Sequence, residues 1–294
     1  MPSMPGNDKE ASPCPGTLYV VATPIGNLQD ITLRALDALR NVDVIAAEDT
    51  RHTRKLLSHF QIQKPLTSYH SQSGTHANRK ILDMLREGQN VALVTDAGTP
   101  GISDPGSFLI HQVIEEGLQV VSIPGPTALI AALVVSGLPT HTFAFLGFAP
   151  PKGSSRKKFF QEHSRLPMTL VLYESPQRLL RTLADILQHW GNRPMAVVRE
   201  LTKKFEEVRR GTVSEVLDHF SSGVRGELTL VLEGASPGAV EDSAGNDAWQ
   251  EELVTLLVEK GMTVRDATEE IAKRLKLPRK EVYRKALEVK KGMD

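Results

Sequence analysis

The chain has 294 residues, of which 40% are apolar, 24% charged and 5% aromatic, and its 35 basic and 35 acidic residues cancel. That length and apolar content suffice for about two domains and a small third unit. A single cysteine, Cys14, excludes an internal disulfide framework and a cysteine-rich metal site; no apolar run has the length of a membrane helix and the start lacks a secretory core, so a reduced, cytoplasmic setting away from the membrane is expected.

Residues 1–15 read as a flexible tail rich in proline. "TLYVVAT", from Thr17, is a continuous apolar strand that breaks at Thr23-Pro24-Ile25-Gly26-Asn27. A helix follows over about 33–40, then the strand "VDVIAA", ending at Glu48-Asp49-Thr50-Arg51. "THANRKILDMLREG" is a helix with Leu82 and Leu85 on one side and Gly88 past its end. "NVALVT" is a strand ending at Asp96, "SFLIHQVIEEG" a helix, and "LQVVSIP" a strand ending at Pro124. Strands that are unbroken apolar runs suit a mostly parallel sheet covered on both faces, which places an N-terminal α/β domain over 16–125. A second α/β domain, 126–234, carries the strands "MTLVLYES", "RPMAVVREL", "FEEVRRG" and "GELTLVLEG" with helices at about 177–189 and 212–220, and some antiparallel pairing is expected. Within it "FLGFAPPKGSSRKKF" interrupts the pattern with Pro, Gly and basic residues, and its part "PPKGSSRKKF" reads as a flexible basic loop that could cradle RNA phosphates or close over a cleft. Residues 235–247 have linker composition.

Residues 248–294 show three short helical patterns, one begun by Thr263 with Asp266 three positions on, a variant capping box. From Lys260 to the end there are eleven Lys or Arg against six acids. Helices with basic flanks suit either a helix-turn-helix-like unit that meets a polyanion or a small docking or capping unit.

Chemistry in an open α/β sheet gathers where the strands end. Four such ends here carry Pro, Gly or charge: 23–27, 48–51, 96–106 and 124–127. Glycine admits close approach of a ligand and proline stiffens the neighbouring turn, so the four together suggest a rigid slot lined by main-chain groups. Asp96 and Asp104 are suited to cap or brace these loops. There is no G-x-G-x-x-G after the first strand, no Walker A loop, no H-E-x-x-H and no G-x-S-x-G, and the nine histidines are dispersed. Dehydrogenase, kinase, metallohydrolase and serine-hydrolase readings lose ground accordingly.

The segments "GTLYVVATPIGNLQDIT", "AAEDTRHT", "TDAGTPGISDPG", "SIPGPTA", "GFAPPKG" and "LYESPQR" together resemble the bacterial ribosomal RNA small subunit methyltransferase I family, of the tetrapyrrole methylase-like, class III methyltransferases. The likeness runs from residue 16 to about 233, and the C-terminal helices resemble the appendage of many members. It implies two α/β domains of the tetrapyrrole methylase type with a small C-terminal helical, helix-turn-helix-like unit. It also implies S-adenosylmethionine as methyl donor, a homodimer, and 2'-O-methylation of a cytidine ribose in the decoding region of 16S ribosomal RNA. Carried onto this chain, the donor pocket would use Pro24, Asp96, Gly98, Pro100, Ser103, Asp104, Pro124, Thr127 and Ala128, with Tyr173, Leu201, Leu228 and Thr229 from the second domain. Direct transfer needs alignment more than covalent chemistry. A general base is left open among Glu48, Asp49 and Glu174, with a Glu48–Arg salt bridge as the structural alternative. Arg51 and Arg54, one turn apart, suit RNA phosphate or ribose, or pair with Glu48 and Asp49. Lys152, Arg156, Lys157 and Lys158 of the basic loop suit phosphates, and Arg178 suits the substrate. No metal is implied. The rival readings are a methyltransferase of the same fold acting on a tetrapyrrole or other small molecule, and a non-catalytic nucleic-acid-binding protein.

Overall fold

The computed structural model describes residues 14–70, 74–236, 249, 252–275 and 279–291. Nearly all of the expected tail and most of the expected linker lie outside these residues. The chain divides into two compact units, one running to His163 and resuming over Met168–Glu233, the other made of Ser164–Pro167 and the residues from Gly234 onward.

The first unit holds two five-stranded sheets. The strands β1 (Thr17–Val21), β2 (Val44–Ala47), β3 (Leu66–Ser68), β4 (Val91–Val94) and β5 (Gln119–Ile123) form a wholly parallel sheet in the order β3-β2-β4-β1-β5. Period-two alternation sorts their apolar side chains onto two faces. Val21, Ile45, Ala47, Ala92 and Val94 pack beneath α1 (Leu33–Asn41) and α2 (Thr50–His59). Leu18, Ala46, Val91 and Leu93 pack beneath α3 (Gly74–Arg86) and α4 (Ser107–Glu115). Burial on both faces is why these strands read as unbroken apolar runs. The short β3, half-polar in sequence, was not expected; it exists because its backbone pairs with β2.

Residues Ala128–Ser136 form α5, which the turn-like "GPTA" concealed. The second sheet takes β6 (Phe143–Phe148), β7 (Thr169–Glu174), β8 (Pro194–Arg199), β9 (Glu207–Thr212) and β10 (Leu228–Leu232) in the order β6-β7-β10-β8-β9. Only β6–β7 is parallel; the rest pair antiparallel, as anticipated. Ala132 and Leu133 of α5 bury one face against Val171, Val198 and Val231. The remaining helices are α6 (Gly153–His163), α7 (Leu179–Trp190) and α8 (Val213–His219), the last begun by a full capping box between Thr212 and Glu215.

The expected basic loop is corrected by α6. Its sequence is helical because Phe160 and Arg156 fall four apart on a buried stripe, with Phe160 against Trp190.

In the second unit, a π-helical turn over Thr255–Glu259 precedes α9 (Val264–Leu275) and α10 (Arg279–Lys291). Trp249, Leu253, Leu256, Leu257, Ala267, Ile271, Val282 and Ala286 make its core, matching the apolar stripes of the sequence, whereas Leu275 is exposed. Thr263 caps α9: its hydroxyl accepts from the Asp266 N–H at 3.2 Å and donates to the Asp266 carboxylate at 2.7 Å.

Candidate active site

The parallel sheet brings the ends of β1 and β4 side by side. Thr23 and Gly98 exchange backbone hydrogen bonds, N to O at 2.9 Å and 3.0 Å, and the Thr23 hydroxyl donates to the Thr95 carbonyl at 3.0 Å. This tie turns two Pro/Gly loops into one rigid rim. Gly106, at φ 139°, closes the second loop so tightly that a Cβ there would lie 2.9 Å from Leu93. Ser103 holds a left-handed backbone, φ 63°, which is costly for a non-glycine residue and recurs at functional sites.

A cleft of about 330 Å³ opens between this rim and the second sheet. Of the residues the resemblance assigned to the donor, Gly98, Ser103, Asp104, Thr127 and Ala128 line it from the first half of the unit. Tyr173, Leu201, Leu228 and Thr229 line it from the second sheet. Pro24, Asp96, Pro100 and Pro124 are not among its walls. Pro24 and Asp96 instead line a separate cavity of about 250 Å³ on the far side of the rim, while their chain neighbours Ile25 and Ala97 face the cleft. Ala97 and Thr99 line it within the Asp96-to-Pro100 loop that the resemblance assigned to the donor, whereas sequence reasoning missed Ile25, Ile102, Phe148, Ser175, Pro176, Val198 and Glu227. Ile25 and Ile102 lay in loops already singled out, and Phe148, Ser175 and Pro176 in the motifs "GFAPPKG" and "LYESPQR", but Val198 and Glu227 carried no local signal. Because β10 is the central strand, the Thr229 backbone belongs to the sheet ladders, so it offers the cleft a side chain in place of main-chain groups.

Charge in the cleft is negative. Burial, followed by the nearby Glu48 and Asp96 carboxylates, pushes Asp104 up to about 6. Burial also raises Glu48, despite the hydrogen bond it accepts from the Asp96 N–H at 3.4 Å. The Tyr173 phenol, raised chiefly by burial, accepts from the Leu129 N–H at 3.1 Å and so fixes the start of α5.

The three carboxylates left open as bases are differently placed. Asp49 caps α2 through the Arg51 N–H at 2.8 Å and pairs with the Arg51 guanidinium at 2.8 Å and 3.2 Å; those bonds hold its carboxyl well below the usual range. Such a weak base is poorly suited to take a proton. Glu174 lines the cleft but is 2% exposed, and its oxygens accept from Thr182 at 2.5 Å, the Ser175 N–H at 2.8 Å and Arg178 at 3.0 Å. Glu48 is half-buried and does not line the cleft.

The arginines expected on RNA divide. Arg51 is 86% exposed at its side chain, and Arg54 also faces solvent. Lys152, Lys157 and Lys158 are exposed, Lys158 in an ion pair with Glu162. Arg156 is corrected: its side chain is 4% exposed and donates to Asp185 at 2.7 Å, Thr182 at 2.9 Å and the Pro150 carbonyl at 2.9 Å. Arg178 is likewise turned inward, to Glu174 and to the Ala149 carbonyl at 2.6 Å, while Arg181 reaches the Pro151 carbonyl at 3.2 Å. Three guanidinium groups thus hold three successive carbonyls of "APP", the turn that follows the cleft residue Phe148. Among the described residues no group of three or more His, Cys, Asp or Glu could hold a metal ion, and no helix is long and apolar enough to cross a membrane.

A parallel and a mixed sheet joined at one such cleft define a methylase of the tetrapyrrole methylase class: residues 17–217 match the family model Tetrapyrrole (Corrin/Porphyrin) Methylases. The fold is shared with the solved uroporphyrin-III C-methyl transferase from Thermus thermophilus complexed with S-adenyl homocysteine, at TM-score 0.54 and 21% identity over 74% of this chain and 97% of that one. Two proteins named ribosomal RNA small subunit methyltransferase I are far nearer in sequence. That of Synechocystis sp. is 47% identical over 93% of this chain and 98% of its own length, and that of Thermotoga maritima 47% identical over 74% of this chain and 99% of its own. The chain belongs to the ribosomal RNA small subunit methyltransferase I family, within the tetrapyrrole methylases.

Proposed function

We propose that the protein transfers a methyl group from S-adenosylmethionine to the 2'-hydroxyl of a cytidine ribose in the decoding region of 16S ribosomal RNA, within the small subunit. The observation that carries this reading is the 47% identity, along almost the whole of both chains, with a relative whose name specifies the RNA of that subunit. The donor follows from the methylase family and from the homocysteine form held by the Thermus fold neighbour.

The cleft residues fit that donor. S-adenosylmethionine supplies an electrophilic methyl group on a positively charged sulfur. Asp104, ionised at neutral pH in the cleft wall, complements that charge. Ile25, Ile102, Val198 and Leu201 give apolar walls suited to a flat base, and Ser103, Thr127 and Thr229 add hydroxyls for its polar edges. Asp96, Pro24, Pro100 and Pro124 shape the rim. The protein's part in transfer is alignment and exclusion of water, with no covalent enzyme intermediate. Arg51, Arg54, Lys152, Lys157 and Lys158 present exposed cations for RNA phosphates. Pairing of two copies is supported by α5, which is apolar all round yet leaves Ile130 and Val134 43% and 69% exposed.

Incubation of the purified protein with labelled donor and either small ribosomal subunits or free 16S RNA tests this. The expected product has one alkali-resistant linkage, after a single cytidine. Label on a base carbon, or on a small-molecule acceptor in place of RNA, overturns it.

A further inference from the structure

We propose that the smaller cavity behind the rim is the pocket for the base of the acceptor nucleotide, and that Asp96 reads the amino group of its cytosine. This rests on the RNA methyltransferase reading above and deepens it.

The cavity, about 250 Å³, is large enough for one pyrimidine and differs in character from the cleft. Pro24, Leu28 and Leu56 give it apolar surfaces for a ring; Thr23, Thr53 and Thr95 add hydroxyls. Two features point to a ligand. Thr53 is 2% exposed, yet its hydroxyl has no hydrogen-bond partner. A helical threonine can satisfy itself on the carbonyl four residues back; here the Asp49 carbonyl takes the Thr53 N–H at 3.0 Å and the hydroxyl is left without a bond. A buried orphan hydroxyl is costly unless something outside the protein completes it. The second feature is Asp96. One carboxylate oxygen accepts from the Asp49 N–H at 3.1 Å, and the other meets no donor among the described residues. A cavity wall with a free carboxylate oxygen and an uncommitted hydroxyl, between apolar faces, suits a flat heterocycle bearing an amino group. Cytosine offers that amino donor at its 4-position and uracil an acceptor there, so a carboxylate favours the first and repels the second.

The placement agrees. Pro24 and Asp96 face this cavity, and Ile25 and Ala97, next in the chain, face the cleft. A base held in the smaller cavity puts its ribose at the edge of the donor's. His52 and Lys55, exposed and lining the same cavity, continue along α2 beside Arg51 and Arg54 as a basic approach for the flanking phosphates.

The test compares small subunits in which the acceptor cytidine is retained or replaced by uridine. Wild type should prefer cytidine by at least about tenfold in kcat/KM. Asp96→Asn keeps an oxygen for the Asp49 N–H and gains an amide donor for the uracil oxygen; its preference should fall to within about threefold or invert. Donor affinity by calorimetry should stay within about twofold of wild type, since Asp96 lies outside the cleft. Thr53→Val, which keeps the shape, should raise KM for the subunit about fivefold without changing donor affinity, and carries the test should Asp96→Asn fail to fold. Undiminished cytidine preference in Asp96→Asn, loss of donor binding in it, or an unchanged KM in Thr53→Val overturns the inference while leaving RNA methylation standing. No methylation of either RNA by the wild-type enzyme removes both readings.

Discussion

Asp104 carries a carboxyl whose ionisation costs more in the folded chain than out of it, because burial and two neighbouring acids oppose the charge. With a folded pKa of about 6, above the ordinary value of 3.8, the native state binds more protons between those limits, so its stability falls as pH rises through that window. The shift corresponds to at most about 3 kcal/mol, which solvent screening of a half-exposed group reduces to about 1 kcal/mol. Asp104→Asn should therefore raise the melting temperature at pH 8 and leave it nearly unchanged at pH 4, measured by calorimetry. Donor affinity should behave oppositely. A cationic donor needs the ionised acid, so affinity of the wild type falls as pH drops below about 6, and Asp104→Asn binds more weakly with that pH dependence gone. The sequence named Asp104 as a loop brace and possible donor residue; its charge environment needed Glu48 and Asp96, 56 and 8 positions away, to be brought alongside.

At the scale of elements, the basic stretch after Gly147 shows how the same residues can be read two ways. Composition alone favoured a loop offering charge to RNA. The fold makes α6 of it and turns Arg156 into the hub of a buried network that joins Asp185, Thr182, Glu174 and Arg178, and clamps "APP". Removing one member leaves other charges buried and unpaired, so Arg156→Met should destabilise the protein by about 3 kcal/mol in a denaturant titration. An effect below about 0.5 kcal/mol would mean the exposed-loop reading was correct after all. The turn between β8 and β9 acts in the same manner on the opposite wall. Gly226, at φ 92°, leaves a slot filled by Glu200, whose carboxylate accepts from Lys203 at 3.0 Å and from the Glu227 N–H at 3.2 Å. The cleft residues Leu201 and Leu228 lie next to this knot in the chain, where no motif marked it.

For the whole molecule, the second unit is where charge and function separate most cleanly. The Thermotoga relative spans 74% of this chain while being covered over 99% of its own length, so a member of the family does without about a quarter of the length of this one. Because the cleft is lined only by residues of the first unit, removal of residues 237–294 should leave donor affinity unchanged while weakening RNA binding and lowering the slope of log affinity against log salt by at least about 2, checked by binding titrations across ionic strengths. An unaltered slope would make the basic helices purely structural. Their apolar spacing already defined the core of that unit in the sequence, because a helix that buries one stripe must repeat it every three to four residues.

What the amino-acid order determined by itself was local and periodic: buried parallel strands, capped helices, and stiff turns where strands end. Its motif set also carried enough to identify the family, and with it the methyl donor. What only the tertiary structure decided was which side of each turn faces which cavity. Pro24 and Ile25, like Asp96 and Ala97, are neighbours in the chain, yet where the backbone bends at these positions one of each pair lines the cleft and the other the second cavity. A motif therefore locates a loop at a site, but the Thr23–Gly98 tie sorts its residues between the cleft and the smaller cavity. Likewise a guanidinium has the same charge in any sequence, and only the packing of α7, which carries Asp185, against α6 turns Arg156 inward, whereas Arg178 meets Glu174 only four residues back in the chain.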